Sequence, residues 1–241
     1  DTQKLELEKN LKELRTSPVY LSPLEISQFY DGFSNGVLWP LFHYLSEKID
    51  RDAWIHWNTY VEVNEKFCQA VAEQYEDGDL IWVHDFQLAL LPAMLRKRFS
   101  HARIGFFLHI PFPSSEVFRI LPWRAQIAEG MLGADLIGFH TNAYARHFAK
   151  SCLHLFDVTT RNERLQFFGR EVHLGIFPIG IDDKKFQDLA VDPEVIAETE
   201  RIRKEAGGKF IFLGVDRLDY TKGLARRFLA YERFLGREPE F

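Results

Sequence analysis

The sequence predicts an α/β protein built on an open, doubly wound parallel sheet, with the beginning of a second unit of the same kind. Three observations predict it. Short apolar, partly β-branched runs alternate with helical stretches along the chain, the order that crossover connections and a parallel sheet require. The runs are apolar throughout rather than alternating, which implies strands covered on both faces. Of the 241 residues, 46% are hydrophobic and 15% aromatic, ample apolar material for one large core or two smaller ones.

The elements follow in order. Residues 1–16, DTQKLELEKNLKELRT, read as a plain charged helix. The first strand is 80–84, LIWVH, after the turn-like 76–79, EDGD. Residues 88–99 then give a helix in which Leu91, Leu95 and Phe99 recur every four positions. The next strands are 103–109, RIGFFLH, and 135–140, DLIGFH, with a Pro-rich loop and a helical stretch between them. Residues 142–156 form a helix that Thr141 is placed to cap. Residues 174–180, LGIFPIG, read as a last strand and exit turn. A boundary therefore falls near residue 180. Residues 181–208 are a charged helical linker ending at a Gly pair suited to a helix C-terminus. Residues 209–241 contain one βα unit, a strand at 209–215 and a helix at 224–235 with Leu224, Phe228, Tyr231 and Leu235 on one face. A lone βα unit cannot bury its own faces, so it is expected to open a second domain that these residues do not complete.

Charge and composition exclude several classes. The formal net charge is −5, with 30 basic and 35 acidic side chains spread along the chain. No basic block suggests nucleic acid, and no basic amphipathic segment suggests a membrane surface. The longest apolar runs, such as 104–112, are about half of what a membrane-spanning helix needs. The two cysteines, Cys68 and Cys152, lie in helix-like segments without close spacing. They are expected to be buried thiols in a reducing cytoplasm, and a metal site is not expected.

In open parallel sheets ligands bind at the carboxyl ends of the strands, which picks out Asp85, His109 and His140. Four segments are richer in functional groups than a core requires. Residues 30–44, YDGFSNGVLWPLFHY, put Tyr30 and Trp39 near amides and an imidazole. Aromatic faces beside hydrogen-bonding groups suit a sugar, and the other reading is an aromatic core corner with a turn at 34–36. Residues 82–88, WVHDFQL, end a strand at Asp85, which either accepts hydrogen bonds from sugar hydroxyls or caps the following helix. Residues 104–123 hold His109 next to Pro111 and Pro113, where the prolines fix the loop and the histidine is either structural or functional. Residues 214–224, GVDRLDYTKGL, place Arg217 and Lys222 in a strand-to-helix loop. Two cations there suit a diphosphate, unless they pair with Asp216 and Asp219.

Taken in order, these segments resemble the family of trehalose-6-phosphate synthase, whose signatures look like Y-x-x-F-S-N-x-x-L-W-P-x-F-H-Y, W-x-H-D-Y-x-L, G-F-F-L-H-x-P-F-P and R-L-D-Y-x-K-G. Here they stand at residues 30–44, 82–88, 105–113 and 217–223, with Phe86 in place of a tyrosine. The resemblance covers roughly residues 19–235. It implies two Rossmann-like domains in the GT-B arrangement and retaining transfer of glucose from UDP-glucose to glucose 6-phosphate. It implies no metal and no other cofactor. Carried over residue by residue, it makes Tyr30, Trp39 and Asp85 an acceptor-sugar site. His109 becomes the histidine beside the donor glucose, and Arg217 and Lys222 the pair that holds the donor diphosphate. His109, Arg217 and Lys222 are thereby the expected catalytic residues.

The family's first strand and Gly-rich, arginine-bearing loop are not visible in residues 1–16, and its acidic, glycine-containing donor loop would lie past residue 241. The chain is therefore expected to be part of a longer protein and, alone, to have little or no turnover. Two alternatives carry different functions. Glucosylglycerol-phosphate synthase is similar over the same motifs and uses glycerol 3-phosphate, although the Tyr30 to Trp39 segment favours a sugar. A non-catalytic regulatory subunit is the other, although such relatives usually lose the diphosphate cations. No nucleic acid or membrane partner is expected, and apolar surface left bare by an incomplete second domain would favour a homo-oligomer.

Overall fold

The computed structural model describes residues 9–240 other than Lys12. The chain divides into two compact units, one reaching Ile179 and the other starting at Gly180. Most of the charged helix expected over residues 1–16 lies outside the described residues, and of it residues 9–11 and 13 are helical.

The first unit is built on a six-stranded sheet. Its strands are β1 (Leu80–His84), β2 (Arg103–Phe107), β3 (Leu136–Phe139), β4 (Thr160–Arg161), β5 (Arg164–Phe167) and β6 (Arg170–Ile176), in the spatial order β1-β2-β3-β6-β5-β4. β1, β2, β3 and β6 are mutually parallel, as the alternation of apolar runs and helices predicts. β6, β5 and β4 form an antiparallel edge that the sequence reading does not anticipate. Two tight turns make that edge. Asn162 and Glu163 have φ of 51° and 62°, and Phe168 and Gly169 have 46° and 76°. Paired positive φ values at two-residue loops match the twist of the flanking strands.

The strands also correct the expectation of two covered faces. Val83, Ile104, Phe106 and Ile137 are buried, but Leu80, Trp82 and Leu136 are 67%, 62% and 40% exposed. Among the described residues, nothing covers the second face enough to bury them. Trp82, Phe107, Leu136 and Phe177 instead line a shallow apolar hollow there. Gly138 and Gly175 make room for it, since a Cβ at Gly138 would collide with the Phe107 ring and one at Gly175 with the Phe177 ring.

Helices α1 (Trp57–Ala72), α2 (Leu91–Arg98), α3 (Arg124–Met131) and α4 (Asn142–Phe156) complete the layer on the buried side. α1 buries Tyr60, Val63, Asn64 and Cys68, a one-face spacing. α4 is capped as predicted: the Thr141 hydroxyl accepts the Tyr144 N–H at 3.3 Å. Its end is a left-handed Asp157 at φ 55°. Cys68 and Cys152 are both buried, and loss of solvation pushes both thiols above their ordinary range.

Ser22 opens the segment before α1 with a reciprocal capping box to Glu25. The backbone then runs through wide π turns over Ile26–Leu38, closing with the Trp39 N–H bonded to the Ser34 carbonyl five residues back. There is no turn at 34–36. Phe29, Phe33, Val37 and Leu38 are buried together along one side, and that burial outweighs the turn preference of Ser-Asn-Gly.

The second unit contains α5 (Asp183–Ala190), α6 (Pro193–Ala206) and α7 (Leu224–Arg237). The single helical linker expected over 181–208 is two helices. Asp192 caps the second through the Glu194 and Val195 N–H groups, and Pro193 stands in its first turn. α6 ends at Gly207 with φ 60°, at the Gly pair read from the sequence. The strand expected at 209–215 does not form. A strand is defined by its pairing in a ladder, and residues 209–215 belong to no strand of the six-stranded sheet. Phe212 instead lies against Tyr231 and Phe234 of α7, at ring-centroid distances of 6.0 and 5.8 Å. No described residue of this unit is buried.

Candidate functional site

The register of the parallel strands brings the chemistry to one edge. His84, the last residue of β1, stands opposite Phe107, the last of β2. Residues just past the two strands therefore emerge side by side at the carboxyl end, where α/β sheets bind ligands. Backbone bonds stitch the exits together. The Asp85 N–H donates to the Phe107 carbonyl at 2.8 Å, Leu108 to Gly138 at 3.1 Å and Phe177 to Phe139 at 2.8 Å.

Asp85 has φ 71° and ψ 169°, a region that costs any residue with a Cβ roughly 1–3 kcal/mol and is essentially reserved for glycine. Its Oδ1 accepts from the Phe86 N–H at 2.9 Å and from the His109 N–H at 3.2 Å. Asp85 thus caps the short 3₁₀ turn Phe86–Leu88 and also anchors the loop after β2. The two readings open in the sequence are compatible, because Oδ2 has no hydrogen bond to the described residues.

Asp85 and His109 are brought together, and with them a histidine that the sequence reading passes over. His84 Nδ1 lies 2.9 Å from His109 Nε2, with the rings stacked at 5.2 Å. The signal for His84 is in the strand itself, since it is the strand-end residue adjoining Asp85. His140, at the end of β3, meets His109 edge-on at 5.9 Å, and its buried Nδ1 has no partner among the described residues. Loss of solvation holds the His109 imidazole below its ordinary range; His84 and His140 add to this, while Asp85 opposes it. Among the described residues, no group of three or more His, Cys, Asp or Glu is arranged to hold a metal ion.

Trp39 approaches the same edge. Its ring lies 5.8 Å from Phe86 and 4.1 Å from His43. His43 Nδ1 in turn bonds the Trp39 carbonyl at 2.7 Å. Tyr60 supports this corner from below: its buried hydroxyl donates to the Phe86 carbonyl at 2.6 Å and accepts from the Ala89 N–H at 3.3 Å. Burial pushes the Tyr60 phenol far up. Tyr30 is 47% exposed on the π-turn segment. A further tie escapes sequence reading. Tyr44, at φ 62°, accepts the Ser114 N–H at 2.7 Å and meets His147 Nδ1 at 3.4 Å, joining residues 30–44 to the loop of Pro111 and Pro113.

Arg217 and Lys222 belong to the second unit, where Arg217 precedes the 3₁₀ turn Tyr220–Lys222 and Lys222 closes it. Asp216 pairs with Arg227 of α7 instead of with either of them. Asp219 turns its carboxylate to the Thr221 N–H and hydroxyl, both at 2.8 Å. Burial of Asp219 works to raise its pKa, but the Thr221 hydrogen bonds and the charges of Arg217 and Lys222 bring it below the ordinary carboxylate range. Both cations are exposed and, among the described residues, neither forms an ion pair. Gly223 at φ 65° then admits α7.

A parallel sheet with polar groups gathered at its carboxyl edge places the first unit among the α/β proteins that bind ligands at that edge. The chain belongs to glycosyltransferase family 20, which it matches over residues 1–241. It is 47% identical over 230 residues to alpha,alpha-trehalose-phosphate synthase [UDP-forming] A of Dictyostelium discoideum, which covers 95% of this chain and 31% of that protein. Its fold is shared, at a TM-score of 0.85 and 35% identity, with the N-terminal domain of Candida albicans trehalose-6-phosphate phosphatase, over 99% of this chain and 52% of that one. It is also shared with an E. coli trehalose-6-phosphate structure bound with UDP-2-fluoro glucose, at a TM-score of 0.82 and 36% identity, over 91% of this chain and 49% of the other. The chain thus spans about a third to a half of the length of these proteins. No helix among the described residues is long and apolar enough to cross a membrane.

Proposed function

We propose that the protein carrying this chain transfers glucose from UDP-glucose to glucose 6-phosphate with retention of configuration, giving trehalose 6-phosphate and UDP. Family membership and the UDP-forming synthase relative support the reaction class. Because the same fold also serves as the N-terminal domain of a phosphatase, the residues carry the reading and not the fold alone. The observation that carries it is Asp85: a strained carboxylate at the carboxyl edge of parallel strands, holding the His109 loop with one oxygen.

In this reading Tyr30, Trp39 and Asp85 hold the acceptor sugar, with aromatic faces against its C–H surface and the carboxylate on its hydroxyls. His109 lies beside the donor glucose. The anomeric C–O bond breaks with its electron pair going to the UDP oxygen. The acceptor hydroxyl oxygen then bonds the anomeric carbon on the same face, and its proton passes to the departing phosphate. Arg217 and Lys222 stabilise the charge that develops on UDP. The reading calls for no metal and no other cofactor.

The test is UDP release by the full-length protein with glucose 6-phosphate or glycerol 3-phosphate. Release is expected with glucose 6-phosphate only, and Arg217→Ala or Lys222→Ala should slow it by about 10²–10³. Release with glycerol 3-phosphate alone would overturn the acceptor assignment.

A further inference from the structure

We propose that His84 is a positioning residue for His109: it engages His109 Nε2, fixes the ring's tautomer and leaves Nδ1 as the nitrogen that meets a ligand. The inference rests on the reading of His109 as a donor-site residue. Its ground is the 2.9 Å separation of His84 Nδ1 and His109 Nε2. Two imidazole nitrogens at that distance form a hydrogen bond only if one carries a proton and the other a lone pair. The bond therefore survives with the pair neutral or singly charged, and it breaks when both rings are protonated.

The surroundings hold the pair in register. The His109 N–H is anchored on Asp85 Oδ1 at 3.2 Å, so the backbone under the ring cannot drift. Phe107 packs on the His109 ring at 4.7 Å, and Trp82 packs on His84 at 4.4 Å. His84 is thus clasped between an indole and the imidazole it orients. Among the described residues, His109 Nδ1 has no hydrogen-bond partner. The other ring nitrogen is committed to the protein, so a sugar hydroxyl reaching a neutral His109 would meet Nδ1 protonated where His84 donates to Nε2 and bare where His84 accepts from it. This is the arrangement by which a neighbouring group sets the role of a functional histidine.

The experiment compares wild type, His84→Phe and His84→Asn in the full-length protein. Phenylalanine keeps a ring between Trp82 and His109 but removes the bond. Asparagine restores a donor and an acceptor near the place of Nδ1. Ring-nitrogen NMR of His109 should show one tautomer in wild type, an averaged pair of tautomers in His84→Phe, and a return toward one tautomer in His84→Asn. In UDP-release assays kcat should fall about tenfold in His84→Phe, the worth of one hydrogen bond, with KM for glucose 6-phosphate nearly unchanged, and recover in His84→Asn. Identical His109 ring signals in wild type and His84→Phe overturn the proposal, whatever the activity. If instead His109→Ala keeps full turnover while the tautomer shift is seen, the positioning bond stands and the donor-site reading of His109 falls.

Discussion

Asp85 joins two opposed demands on one residue. Its carboxylate is used by two backbone N–H groups, yet its backbone sits where a side chain is costly. Substitution separates these contributions. Asp85→Ala keeps the strain and loses the hydrogen bonds, whereas Asp85→Gly loses the bonds and relieves the strain. Urea unfolding should find the glycine variant about 1–2 kcal/mol more stable than the alanine one. Equal stability, or a more stable alanine variant, would remove strain from the account. Both should lose turnover, because neither keeps a carboxylate at the strand end. Strand-end placement made Asp85 and His109 readable in the sequence, since an apolar run that stops at a polar residue marks an edge. His84 carries the same strand-end signal beside Asp85, but only the parallel register shows that it stands level with Phe107 and so within reach of His109. The Tyr44 tie to Ser114 was hidden for another reason: it joins residues 70 positions apart through a backbone N–H, which leaves no pattern in side-chain identity.

Between elements, the tightest approach is made by glycine. Gly130 in α3 and Gly133 just beyond it face the backbone of residues 89–93 around the start of α2, and a Cβ at Gly133 would overlap Ala93 and the Pro92 carbonyl carbon. Those atoms are main chain and cannot swing aside. Gly133→Ala should therefore cost about 1–3 kcal/mol or more in thermal or urea unfolding. Gly236 in α7 is the opposite case, with nothing within 4 Å of its would-be Cβ. Gly236→Ala should be neutral or stabilise α7 by up to ~1 kcal/mol. The same physics explains which elements were legible. Parallel strands made of unbroken apolar residues declared themselves, and α4 announced its start at Thr141. The β4-β5-β6 edge did not, because its turns use Asn162-Glu163 and Phe168-Gly169 and only one of those four residues is a glycine. The residues 209–215 look like a strand by composition, but a strand needs a partner and composition carries no information about partners.

For the molecule as a whole, proton binding links the site to stability. His109 is held below its ordinary range in the fold, facing His84 and Asp85 from the end of β1 and His140 from the end of β3. The unfolded chain therefore binds more protons there as pH falls below about 6.5, so folding stability falls with it until the folded histidine is also protonated. Glu25 acts lower down. Hydrogen bonds from Lys66 and Ser22 lower it to about 2, so its contribution is present above the ordinary carboxylate range and is lost as pH falls through that range toward about 2. Stability measured against pH should accordingly fall in two separate stretches. His109→Phe should flatten the upper one and Glu25→Gln the lower, and an unchanged upper stretch in His109→Phe would show that His109 is not its source. The bare face of the sheet carries a different consequence. Among the described residues Leu80, Trp82, Leu136 and Phe177 are exposed, so unfolding of these residues alone uncovers less new apolar surface than a sheet layered on both sides would release. The heat-capacity increment per residue then lies below the usual ~12–15 cal/mol/K. A smaller increment flattens the dependence of stability on temperature.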